Sequence, residues 1–218
     1  PAQLPEGAVL VVGAGSSGVQ IAAELRKAGR DVYLSVGPHG RPPRSYRGRD
    51  YCWWLGVLNK WDAESTPGVE HVTIAVSGAE GGHTVDFREL AATGITLLGR
   101  TGAYKDGKLT FAPDLARNIA EGDRNYLAVL DEADAYIDRN GLNLPEEPEA
   151  RQIGPDPACL THPILELDLD AAGITTILWA TGFALDYGWL KVDALDDKGQ
   201  PAHLRGISNE PGVYFLGL

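Results

Sequence analysis

Three glycines stand first among the residues able to do chemistry. Gly13, Gly15 and Gly18 lie in GAGSSG at the spacing GxGxxG, a pattern that brings protein backbone against a dinucleotide pyrophosphate. Each glycine answers a different need. Gly13 makes the tight turn off a strand, Gly15 leaves room for the pyrophosphate, and Gly18 allows close packing of helix on strand. The phosphates then rest on the free N–H groups and positive dipole end of a helix opening near Ser16 or Ser17. In a chain with 27 glycines among 218 residues the bare pattern decides little. Its flanks carry the argument.

Ala8 to Val12 (AVLVV) is an uninterrupted apolar run, as in a parallel strand buried on both faces. After the glycines, SGVQIAAELRKAG spaces Val19, Ile21, Ala22 and Leu25 as a helix does, and Gly29 is suited to close that helix. Asp31 to Val36 (DVYLSV) reads as the next strand. Strand, glycine turn, helix and strand within about 30 residues form a βαβ unit.

The choice of nucleotide falls at the end of that second strand, where NAD enzymes place a carboxylate on the ribose hydroxyls. Ser35, Val36 and Gly37 stand there, and Asp31 is at the wrong end of the strand. Just beyond, GPHGRPPRSYRGRD supplies Arg41, Arg44, Arg47 and Arg49 in a chain of net charge −11. An arginine fork pairs bidentately with a phosphate. The expectation is therefore NADP(H), with Ser35 donating a hydroxyl and Arg41 or Arg44 pairing with the 2′-phosphate. Arg47 and Arg49 read as solvated, or paired with Asp50 and neighbouring acids. His39, beside the arginines, is a lesser candidate for touching phosphate.

The remaining elements support this loop. Asp50 to Leu58 predicts a helix capped by Asp50. VDFRELAATGITLLGR predicts a short helix, a stop at Gly94 and a strand from Ile95 to Leu98. KDGKLTF predicts a hairpin turning at Asp106-Gly107. The longest helical pattern, Asp114 to Asn140, places Leu115, Ile119, Tyr126, Leu130, Ala133 and Ile137 on one face and ends at Gly141. A proline-rich acidic connector, LPEEPEARQIGPDP, precedes a strand over Thr175 to Ala180 and a last apolar run, Val213 to Leu216. Alternating strands and helices predict an α/β fold, a Rossmann-like, mostly parallel sheet with helices on both faces.

GAGSSG, followed late in the chain by ILWATGF and then GVYFLGL, resembles the nicotinamide half of two-dinucleotide flavoproteins, most specifically the flavin-containing monooxygenase group. In that group a GxGxSG loop binds NADPH and an ATG motif links two domains. The resemblance implies that NADPH held here reduces FAD, that reduced flavin activates O₂ toward a small organic substrate, and that Thr181 and Gly182 touch cofactor at the carboxyl ends of the strands. The family's FAD-side GxGxxG and its FxGxxxH fingerprint have no counterpart here, and the late strand leads to Gly217-Leu218 where the wider superfamily has Gly-Asp. The expectation is a fragment: residues 1–190 as NADP(H)-binding domain and 191–218 returning to an FAD domain of the same polypeptide. No catalytic residue is nominated. Hydride transfer positioned by binding needs none on this half.

Other classes fit less well. The acidic balance repels nucleic acid and anionic membranes, no apolar run approaches the roughly 20 residues of a membrane helix, and a cytoplasmic setting is expected. With 44% apolar and 22% charged residues, the chain is composed like a globular domain. Cys52 and Cys159 are far apart and form no CxxC, which weighs against a flavoprotein disulfide reductase. A non-catalytic NADP(H)-sensing module is the alternative from another class. His39, His71, His83, His162 and His203 lack metal spacing, so no metal is expected. Tyr187 and Lys191 fit YxxxK, the acid/base spacing of single-domain dehydrogenases, but sit in a loop past the ATG turn and are read as coincidence. Trp53, Trp54 and Trp61 are read as packing residues.

Overall fold

In the computed structural model, residues 3–61, 63 and 73–216 are described. His71, Gly217 and Leu218, named above, lie outside them. The chain divides into two compact units, one running to Thr181 and one starting at Gly182.

The first unit begins as its sequence dictates. β1 (Ala8–Val12) is buried throughout, and α1 (Ser16–Lys27) buries Gly18, Val19, Ala22 and Leu25. Gly29 follows at φ +83°, a left-handed conformation that only glycine adopts freely. β2 (Val32–Ser35) then pairs in parallel with β1, Val9 opposite Val32 and Val12 opposite Ser35. α2 (Tyr51–Val57) is capped by Asp50, whose carboxylate accepts from the Cys52 amide at 2.8 Å. α3 (Phe87–Ala92) is capped in the same way by Asp86. β3 (Thr96–Leu98) joins the far side of β2.

β4 (Thr101–Lys105) and β5 (Lys108–Phe111) form the expected hairpin, with Asp106 and Gly107 both at positive φ. That pair of conformations is what a two-residue turn needs to follow the strand twist. α4 (Leu115–Asn140) comes next, ended by left-handed Gly141. β6 (Glu166–Asp168) returns to pair with β5, and β7 (Ile174–Trp179) pairs in parallel with β1.

The parallel sheet therefore runs β7-β1-β2-β3. Val9 and Val11 face a core shared with α1, α3 and α4, through Val19, Phe87, Leu115 and Ile119. Leu10 and Val12 point the other way, onto Leu109 and Phe111 of β5 with Leu167 of β6 beside them. This second face is covered by the three-stranded antiparallel sheet β4-β5-β6, where the sequence predicted helices. The alternating burial of β5, exposed then buried, is that of a strand with one dry face.

The second unit is built from short pairings. His203–Leu204 and Ile207–Ser208 form a tight hairpin, and Ile207 bridges Tyr214. The apolar run Val213 to Leu216 contributes that single bridge and no strand, and Tyr214 and Leu216 are exposed.

Candidate nucleotide-binding site

The glycine loop sits where the parallel sheet reverses its strand order. From β1 the chain passes through α1 to β2 and β3 on one side, whereas β7 adds to the other. The carboxyl ends of β1 and β7 thus border the crevice in which open α/β sheets place ligands. Ala180 N–H donates to Val12 O at 2.8 Å, and Gly13 N–H donates to Ser35 O at 3.1 Å, so neighbouring strands fix the turn from both sides.

Each glycine is required by its surroundings. Gly13 has φ +103°, and a side chain there would place Cβ 2.5 Å from Ala180 O. On Gly18 a Cβ would run into Gly13 O, well inside van der Waals contact. On Gly15, the N-cap of α1, it would meet the methyl group of Thr73. Among the described residues no side chain caps α1, and its first intrahelical bond is Val19 N–H to Gly15 O at 3.0 Å. The amides before Val19 precede that bond, which leaves the partial positive charge of the helix end available to an anion. Ser17 is exposed, whereas the Ser16 hydroxyl donates to Ile74 O at 3.0 Å.

The residues expected to read the 2′-phosphate separate sharply. Ser35 is buried; its hydroxyl donates to Gly99 O at 2.9 Å and takes bonds from the amide and hydroxyl of Thr101, tying β2 to the start of β4. Arg41 is only 3% exposed. Its guanidinium donates to Asp123 at 2.9 Å and to Val85 O at 3.0 Å, and lies 4.4 Å from the Tyr126 ring centroid. Asp123 also accepts from Arg88 at 2.7 Å, and Arg88 reaches Asp156. This buried network straps the loop after β2 to α3 and α4. Sequence reading missed Asp123, although a carboxylate set among Ile119, Tyr126 and Leu130 on a largely apolar helix face signals a buried cation.

Arg44 remains partly exposed. It pairs with Asp50 and lies against Gly82, so its head stays at the surface beside the loop after β2. Arg47 pairs with Asp134 at 3.5 Å, and Arg49 lies over the Trp53 ring. Trp54 is fully buried with its indole N–H on Tyr46 O, as a packing residue, whereas Trp61 is 61% exposed. Thr181 is exposed next to Gly13, its amide nitrogen 3.5 Å from where a Gly13 Cβ would lie. Gly182, exposed and at φ +87°, opens the second unit.

His39 faces the core. Its Nδ1 bonds Gly37 O at 2.9 Å, its ring packs 4.4 Å from that of Phe87, and Nε2, lying against Gly122, has no hydrogen-bond partner among the described residues. Burial holds its pKa below the ordinary value near 6.5. Below about pH 6.5 the unfolded chain takes up a proton that the folded chain resists, so stability falls as pH drops through this range. Denaturant titrations from pH 7 to 5 should show that decline, and a His39→Gln variant should show a shallower one.

No protein-family model matches the chain, and no solved structure matches it. Curated proteins do. The chain is 29% identical over 222 residues to an uncharacterized oxidoreductase CzcO-like of Geobacillus kaustophilus, covering all of this chain and 47% of that protein. It is 29% identical to an uncharacterized oxidoreductase CzcO of Bacillus velezensis and 28% identical to that of Bacillus subtilis, over 99% of this chain and 47% of each relative. The chain thus spans about half the length of these relatives and resembles, from end to end, one portion of proteins named as oxidoreductases.

Among the described residues no helix is long and apolar enough to cross a membrane, and no three His, Cys, Asp or Glu side chains assemble as a metal site.

Proposed function

We propose that this chain is the NADP(H)-binding portion of a flavin-dependent oxidoreductase of the monooxygenase type, with a Rossmann-type sheet as its frame. The observation that carries the reading is the glycine loop at the sheet's reversal point. Gly13 and Gly18 are each excluded from bearing a side chain by adjacent backbone, while the end of α1 is left without a side-chain cap. The oxidoreductase relatives support the class.

The parts this chain contributes are binding and orientation. The amides of Ser16, Ser17 and Gly18 would hold the pyrophosphate, Gly15 would let it approach, and Thr181 at the end of β7 would border the nicotinamide side. Held there, NADPH would be the hydride source for an FAD carried by the rest of the polypeptide, and these residues would only bind and orient it. Arg44 would read the 2′-phosphate, because a dianion can draw it from the surface carboxylate of Asp50. Arg41 serves that contact indirectly, by fixing the loop. Ser35 does likewise by closing the end of β2.

In the second unit Phe183, Trp189, Leu204 and Tyr214 are each more than two-thirds exposed. Apolar surface of this density marks a contact area, and the reading assigns it to the FAD-binding part of the same polypeptide, in the cytoplasm.

Calorimetric titration with NADPH and NADH tests the proposal. NADPH should bind more tightly, and Arg44→Ala should weaken NADPH binding about tenfold, as loss of one charge-assisted contact predicts, while leaving NADH unchanged. Equal affinities for the two nucleotides in the parent protein would overturn the assignment to NADP(H).

A further inference from the structure

The glycine loop is covered by a segment of its own chain. Thr73–Ile74 pairs in parallel with His39–Gly40 beyond β2, and the segment then passes over the start of α1. Ile74 O accepts from the Ser16 hydroxyl at 3.0 Å, which in turn accepts from Val76 N–H at 3.4 Å. Ala75 N–H donates to Gly40 O at 2.8 Å, and Gln20 reaches the Ser77 hydroxyl at 3.5 Å. Thr73 presses its methyl group toward the α-carbon of Gly15, so closely that a Cβ on that glycine would collide with it. Gly15 is buried in consequence.

That face of the second glycine is the one a GxGxxG loop keeps free for the pyrophosphate. Two groups cannot share it. We propose that the segment Thr73–Ser77 is a strap that competes with the dinucleotide pyrophosphate for the glycine loop, so that binding must shift it off α1. The inference rests on the dinucleotide-binding reading given above.

The outer end of the strap is the part readily displaced. Thr73 and Ile74 are exposed, whereas Ala75 and Ser77 are buried; the pairing with the loop after β2 is only two residues long, and the ties to α1 are the Ser16 hydroxyl and the long Gln20–Ser77 contact. Hydrogen bonds of this kind contribute modestly to stability, because water replaces them when they open. A pyrophosphate, by contrast, meets several aligned amides and a helix dipole at once. Ligand binding can therefore reverse the occupancy, and the intrinsic affinity is lowered by the fraction of molecules in which the strap is closed.

Hydrogen exchange on the full-length protein, with and without saturating NADP⁺, separates the possibilities. The strap predicts slowed exchange at Ser17, Gly18 and Val19 together with faster exchange at Ala75 and Val76. Protection of the glycine loop with Ala75 and Val76 unchanged or slowed overturns the strap and leaves the nucleotide reading standing. No protection of the loop overturns both. Thr73→Ser, which removes only the methyl group, should tighten NADP⁺ binding about fourfold, the value of one buried methyl contact; equal or weaker binding also overturns the strap.

Discussion

Gly18→Ala is expected to lower the melting temperature by about 6–12 °C and to abolish dinucleotide binding. The added Cβ would meet Gly13 O, a backbone atom whose position is itself held by the bond from Gly13 N–H to Ser35 O and by Ala180. Neither side can yield without moving α1 off β1, so the cost lies at the upper end of the roughly 1–3 kcal/mol for overpacking. At about 2–4 °C per kcal/mol for a domain of this size, that gives the stated range. Gly29→Ala is the control. It forces alanine into a left-handed conformation, but with open space around the new methyl, and should cost only about 1–2 kcal/mol without touching nucleotide affinity. Calorimetry of the two variants, with NADP⁺ titrations, distinguishes crowding from backbone strain. A Gly18→Ala protein melting within a degree or two of the parent would contradict the packing described.

Asp123→Ala should be the most damaging charge substitution in the chain, at about 3–5 kcal/mol or roughly 6–20 °C in melting temperature. Asp123 is the shared partner of Arg41 and Arg88, whose side chains are 4% and 10% exposed. Its removal leaves Arg41 with the Val85 carbonyl and the more distant Asp86 at 3.8 Å. A buried cation without a close counter-charge costs far more than the intact pair contributes. Two residues away, Glu121 pairs with Arg124 on the exposed face of the same helix, and Glu121→Ala should change stability by less than about 0.5 kcal/mol. Parallel unfolding curves of these two variants make the comparison; equal effects would mean that the network around Arg41 does not carry the load its burial implies.

What the sequence made legible was local. AVLVV is a strand at the stated residues, the Asp-Gly turn is a tight hairpin, and the long helix ends at its glycine, because each depends on conformations its own residues prefer. What it hid was set by distant partners. The second face of the parallel sheet is covered by β4-β5-β6, and β6 reaches β5 only after α4 intervenes, so no short-range pattern joins them. Arg41 in GPHGRPPR reads as a phosphate-pairing loop residue until α4 supplies Asp123. Ser35 was placed correctly at the end of its strand, but its hydroxyl is committed to Gly99 and Thr101, a choice that the position in the chain does not disclose. The glycine loop itself was readable, and the segment lying across it was not.

The pairing of β1 with β7 also bears on how the chain is made. β1 is the first strand of its unit and β7 the last, yet they lie side by side in register from Val9 and Thr176 to Val12 and Trp179. Until the ribosome has released Trp179, one edge of the apolar strand AVLVV has no partner. An unpaired apolar edge recruits other strands, and pairings this far apart in the chain close slowly. While the residues of this unit are being made, its central strand therefore stays half-zipped, and chaperone occupancy of the unit during translation should end only when β7 emerges.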